Sequence, residues 1–134
     1  MKGLFTSLVV FTLPLIIYAA ELSDLQFGAI DLGEPHGTRY GVISCNLEAS
    51  GELTLPSVHM GNAVTWIKNN AFEDCINLTS ITLPESIEGI GLLAFRGCTQ
   101  LQEIALPSSL LHIWYGAFKD CHALREVTLP SNLL

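Results

Sequence analysis

The sequence predicts a mostly β solenoid: parallel strands stacked on one face, short helical or 3₁₀ turns on the convex side, and an N-terminal β-hairpin cap. Three observations carry this. The chain repeats itself, with AFEDCINLTSITLPESIEGIGLL from Ala71, AFRGCTQLQEIALPSSLLHIWYG from Ala94 and AFKDCHALREVTLPSNLL from Ala117, the first two units being 23 residues each. A fixed period in the twenties marks stacked coils rather than a globule around one centre. The units keep strict columns: Phe72, Phe95 and Phe118; Cys75, Cys98 and Cys121; Leu78, Leu101 and Leu124; Ile81, Ile104 and Val127; Leu83, Leu106 and Leu129. Within each unit the apolar spacing also changes, from three along Ala-Phe-x-x-Cys-x-x-Leu, which suits a tight turn, to alternation along Ile81-x-Leu83, which suits a half-buried strand.

Each element follows in chain order. Residues 1–20 read as an export signal: Lys2 is followed by a nearly continuous apolar stretch from Leu4 to Ile17, with Ala19-Ala20 as a cleavage point. The alternative is an uncleaved anchor, although the run is shorter than the ~20 residues a span requires. Residues 21–51 lie outside the repeat. Their two strand-like stretches, Leu25 to Leu32 and Tyr40 to Cys45, flank the turn-forming Gly33-Glu34-Pro35-His36-Gly37-Thr38, so they are expected to form a hairpin that closes the first coil. Residues 52–134 hold about three and a half coils. The first is carried by Leu53-Thr54-Leu55-Pro56 and Val64 to Ile67, with five extra residues around Val58 to Ala63. Pro84, Pro107 and Pro130 end the strands, because proline offers no N–H to a ladder.

The repeat resembles the BspA-like, or Treponema pallidum-type, leucine-rich repeat, whose unit is similar to AFxxCxxLxxIxLPxxLxxIgxx, and residues 52–134 follow that pattern. Gly91 matches the family's glycine, whereas Lys68 and Trp114 depart from it. The resemblance implies a leucine-rich-repeat solenoid in an exported protein, located in the periplasm, on the cell surface or in the medium. It also implies that the chain binds other proteins, with adhesion to host matrix or envelope proteins as the expected role. Self-assembly as a structural protein of the envelope or periplasm is the alternative.

Composition limits the other classes. Thirteen acids against six bases give a net charge of −7, without the clustered Lys and Arg that nucleic acid requires. No further segment reads as a membrane span in the mature chain. No G-x-S-x-G, H-E-x-x-H, phosphate loop or dinucleotide fingerprint occurs, so neither an enzyme nor a cofactor is expected. His112 and His122 fall at solvent-type positions, His59 in the inserted loop and His36 at the hairpin tip. Cys45, Cys75, Cys98 and Cys121 contain no C-x-x-C pair, which argues against zinc. Neighbours in the Cys75, Cys98 and Cys121 column could lie near enough to bond, but three cannot all pair among themselves and Cys45 has no evident place beside them, so free buried thiols are expected.

Two surfaces are candidates. The outward strand columns, Ser80, Glu103 and Glu126, then Thr82, Ala105 and Thr128, are polar and lack the aromatic anchors of protein hot spots. The opposite flank gathers Trp66, Leu92, Leu93, Leu111, Trp114 and Tyr115 at positions the repeat does not need for its core; this is the expected contact patch, unless these side chains fold under the convex surface and pack. The last coil, with Leu124, Val127 and Leu129 along the expected strand Arg125 to Leu129, is the expected edge for a homo-oligomer, most simply a two-fold dimer.

Overall fold

The computed structural model describes residues 20–134. The export-signal reading therefore falls outside the described residues except at Ala20.

The chain winds as a parallel β-solenoid with two ladders. A short 3₁₀ turn, Leu22–Asp24, leads into β1 (Leu25–Asp31) and β2 (Thr38–Cys45), which form an antiparallel hairpin. One ladder then runs from β2 through β6 (Trp66–Ile67) and β8 (Gly89–Ile90) to β10 (His112–Ile113), every step after the hairpin being parallel. The second joins β3 (Gly51–Thr54), β7 (Leu78–Thr82) and β9 (Glu103–Ala105), all parallel. The extra residues of the first coil form their own small hairpin, β4 (Val58–His59) and β5 (Asn62–Ala63).

Register follows the columns. Leu53, Ile81 and Ile104 are mutual neighbours in one ladder, and Val42, Ile67, Ile90 and Ile113 in the other. Period-2 alternation sends these residues inward, where they join Leu78, Leu101, Ile87 and Leu110 in a continuous core. Between the ladders the phenyl rings stack along the axis, Phe72 on Phe95 at 4.9 Å and Phe95 on Phe118 at 5.5 Å, nearly parallel in both cases. Offset aromatic stacks of this kind add roughly 0.5–1.5 kcal/mol per pair beyond area burial.

The sequence reading gave one strand per coil, and the second ladder is an addition. Its strands are two residues long in each repeat, too short for alternation to stand out. The Ala-Phe segments form successive i→i+3 turns, such as Ala71 N–H to Lys68 O and Cys75 N–H to Phe72 O, instead of a continuous helix. Left-handed residues interrupt them in two columns: Asn70, Leu93 and Gly116, and Asp74, Gly97 and Asp120.

One expectation fails outright. Arg125 to Leu129 is not a strand, and no backbone hydrogen bond ties it to β9. The last coil is held elsewhere, by Phe95 N–H to Ala117 O and Gly97 N–H to Lys119 O at the turn and by Leu134 N–H to Leu111 O beside β10. Leu124 and Val127 still pack against the core, so side-chain contact survives where the ladder does not. A cleft of about 960 Å³ separates this segment from β9, lined by Glu103, Ile104, Arg125, Glu126 and Thr128 among others.

Candidate interaction surface

The outer face of the five-stranded sheet is built around one indole. The column Gly41, Trp66, Gly89, His112 points away from the core. Trp66 is only 1% exposed, because its ring lies flat along the sheet over the next coil. Gly89 makes this possible: a Cβ there would stand 2.1 Å from the indole. Trp114 meets the ring edge-on at 5.5 Å and His112 lies 5.9 Å away. The hairpin tip closes over the cluster, with His36 at 5.4 Å from His112 and 6.3 Å from Trp114. Arg39 of β2 reaches Glu88 at 3.6 Å, a second link between hairpin and coils. Among the described residues the indole Nε1–H has no hydrogen-bond partner.

The six patch residues thus separate into two sets. Trp66 supports the surface from beneath and is not reachable from outside. Tyr115 is 82% exposed and Leu92 is 36% exposed, while Leu93, Leu111 and Trp114 are half-buried. Leu92 and Tyr115 occupy equivalent positions in adjacent coils, joined by Leu93 N–H to Tyr115 O at 3.2 Å. Leu93 has φ 54°, in a column where the neighbouring coils place Asn70 and Gly116. Leucine in the left-handed region costs roughly 1–2 kcal/mol, so backbone geometry does not account for its presence. Its side chain rests over Gly116, where a Cβ would come within 2.7 Å of Leu93 Cδ2.

The sequence pattern places the histidines at solvent-type or loop positions. In the structure His36 and His112 sit in the Trp66 cluster. His59 stacks on Phe27 at 4.1 Å and meets the Tyr40 hydroxyl through Nδ1 at 2.9 Å, pinning the inserted hairpin to the N-terminal one. The signal for His112 was present as a glycine, Gly89, between two bulky residues at the repeat spacing; His36, in the hairpin, had none. For His59 no periodic signal existed, since it lies in the insertion.

The other ladder offers a different face. Glu52, Thr54, Thr82, Glu103 and Ala105 are exposed and Ser80 is half-buried, giving a small acidic strip. Nearby, Glu85 accepts hydrogen bonds from Ser108 Oγ at 2.8 Å and from the amides of Ser108 and Ser109, which hold its carboxyl below the usual carboxylate range. Among the described residues no group of three or more His, Cys, Asp or Glu side chains is gathered as a metal ion would require, and no helix is long and apolar enough to cross a membrane.

Parallel coils whose strands end in Leu-Pro, joined by Ala-Phe-x-x-Cys turns, define a leucine-rich-repeat solenoid. More narrowly, the chain belongs to the BspA-type leucine-rich-repeat family, whose profile of six copies matches residues 48–134. Among solved structures it is similar to the leucine-rich repeat protein of T. pallidum, at 29% identity and a TM-score of 0.73 over 87% of this chain and 52% of that one. It is also similar to a leucine-rich repeat protein of Bacteroides capillosus, at 27% identity and a TM-score of 0.69, covering 84% of this chain and 83% of that one. A leucine-rich cell surface protein of Faecalibacterium prausnitzii matches at 27% identity and a TM-score of 0.64 over 80% of this chain and 28% of that one. The chain thus spans about half the length of the Treponema protein and less than a third of the Faecalibacterium one. Among curated proteins, no sequence matches.

Proposed function

We propose that this chain is an exported, surface-located binding module that attaches to host matrix or envelope proteins through the flank formed by Leu92, Leu93, Leu111, Trp114 and Tyr115. The observation that carries the proposal is Leu93. A strained backbone holds an apolar side chain half in solvent, beside an exposed tyrosine and an exposed leucine, on a platform made rigid by the Trp66 cluster. Strain kept at a half-exposed apolar residue points to use, and aromatic and aliphatic side chains on a rigid base suit a protein ligand. The description of the Faecalibacterium protein as a cell surface protein supports the location.

The test is capture on plates coated with fibronectin or laminin. The intact chain is expected to be retained, and L92S and Y115S are expected to lose retention while keeping the melting temperature. Retention unchanged in both variants refutes the assignment of the flank. A second reading, self-association, is favoured by the free edge of β9, which presents unpaired backbone groups to the cleft. Light scattering at tens of micromolar distinguishes it: a monodisperse monomer refutes it.

A further inference from the structure

The four cysteines form one row. Cys75, Cys98 and Cys121 occupy the same position in successive coils, and the structure places Cys45 ahead of them. Cys45 N–H bonds Ala71 O at 2.7 Å, which draws the end of β2 against the first Ala-Phe turn. The thiols of Cys45 and Cys75 then converge on one acceptor, Asn46 O, at 3.4 and 3.9 Å. Further along, the Cys98 thiol bonds Phe72 O and the Cys121 thiol bonds Phe95 O, both at 3.0 Å. The coils carrying Cys98 and Cys121 are clamped by Phe95 N–H to Ala117 O and Gly97 N–H to Lys119 O. Neighbouring coils lie roughly 4.8 Å apart, within the roughly 4.4–6.8 Å between Cα atoms that a disulfide bridges.

We propose that this row is a disulfide-forming site that closes as two cross-coil bridges, Cys45–Cys75 and Cys98–Cys121. The pairing follows from order. Four thiols in a line can all find a neighbour in only one way, since a Cys75–Cys98 bridge strands Cys45 and Cys121 at opposite ends. The carbonyls the thiols now serve are not orphaned by closure: Phe72 O also accepts from Cys75 N–H and Phe95 O from Cys98 N–H. The proposal stands apart from the binding reading; the two share only the expectation of export to an oxidising compartment.

The co-reactant is a small disulfide or a dithiol oxidant of the same class. A cysteine thiolate attacks one of its sulfurs, forming a mixed disulfide and releasing one thiolate. The neighbouring cysteine then attacks the protein-side sulfur and expels the second. The pair of cysteines loses two protons and two electrons, and the oxidant becomes two thiols. Cys121 is suited to begin. It is half-buried while Cys98 is sealed, and a hydrogen bond from the Cys98 thiol lowers its pKa, the proton of Cys98 turning from Phe72 O toward the ionised sulfur. That donor role and burial raise the pKa of Cys98. In the other couple the roles conflict. Cys75 has the lowered pKa but is buried, and the more accessible Cys45 is raised by donating to it.

The experiment uses the full chain, reduced, then exposed to oxidised glutathione and digested without reductant. Trypsin cuts after Arg39, Lys68, Arg96, Lys119 and Arg125, which leaves each cysteine in its own peptide. The expected products are 97–119 linked to 120–125 and 40–68 linked to 69–96, with a melting temperature that rises and falls back on reduction. Cys121→Ser is expected to abolish the first link and keep the second. A predominant link between 69–96 and 97–119, glutathione adducts that never resolve, or bridges only between molecules would each overturn the proposal.

Discussion

Gly89→Ala is the sharpest probe of how this surface is built. The new methyl would meet three atoms of the Trp66 ring at 2.1 to 2.5 Å, closer than real carbon contacts allow. Two responses compete. If the indole were expelled, burial of roughly 150–250 Å² would be lost, which at about 25 cal/mol per Å² is roughly 4–6 kcal/mol. If the ring tilts and the sheet gives slightly, overpacking costs about 1–3 kcal/mol. The cheaper route wins, so the expected loss is about 1–3 kcal/mol. Urea unfolding followed by tryptophan emission measures this well, because Trp66 and Trp114, the chain's two tryptophans, are both in the cluster and 5.5 Å apart. Native emission should shift to longer wavelength as the packing loosens. Combining Gly89→Ala with Trp66→Leu, which removes the clashing ring atoms, should reduce the cost of the alanine to below about 0.5 kcal/mol, since contacting residues are not additive. An unchanged midpoint and emission in Gly89→Ala alone would refute the packing described here.

Two further predictions follow from local geometry. Leu93→Asn relieves roughly 1 kcal/mol of left-handed strain and forfeits about 1 kcal/mol of half-buried side chain, so the melting temperature should hardly move, while capture of a protein ligand falls; a loss above about 1.5 kcal/mol by denaturant titration would show that Leu93 is core. Glu85→Gln should matter above the normal carboxylate range: the folded carboxyl titrates below its unfolded value, so its contribution is present there and disappears as pH falls through the lowered value, and the melting-temperature gap between wild type and variant should close as the solution is acidified.

Much of the fold was legible because a solenoid writes its contacts locally. A residue's neighbours in the next coil are its own repeat positions, so Phe72, Phe95 and Phe118 had to stack if the units stacked at all. The short second ladder was hidden by its two-residue strands. The patch was only half legible: the repeat pattern marked Trp66, Leu92, Trp114 and Tyr115 as a contact patch or as added packing, but not that one of them is sealed in and another stands in solvent.

The amino-acid order by itself determined the repeat length, the inward columns and the proline-ended strands, because each depends on spacing along the chain. Tertiary structure alone decided what lies across that spacing. The hairpin brings His36 over the third coil, and Cys45, thirty residues before Cys75 and out of step with the 23-residue period, is carried to the head of the thiol row. Those contacts join the non-repeating segment to the repeats, and no periodicity relates the two; only the path of β1 and β2 through space sets them.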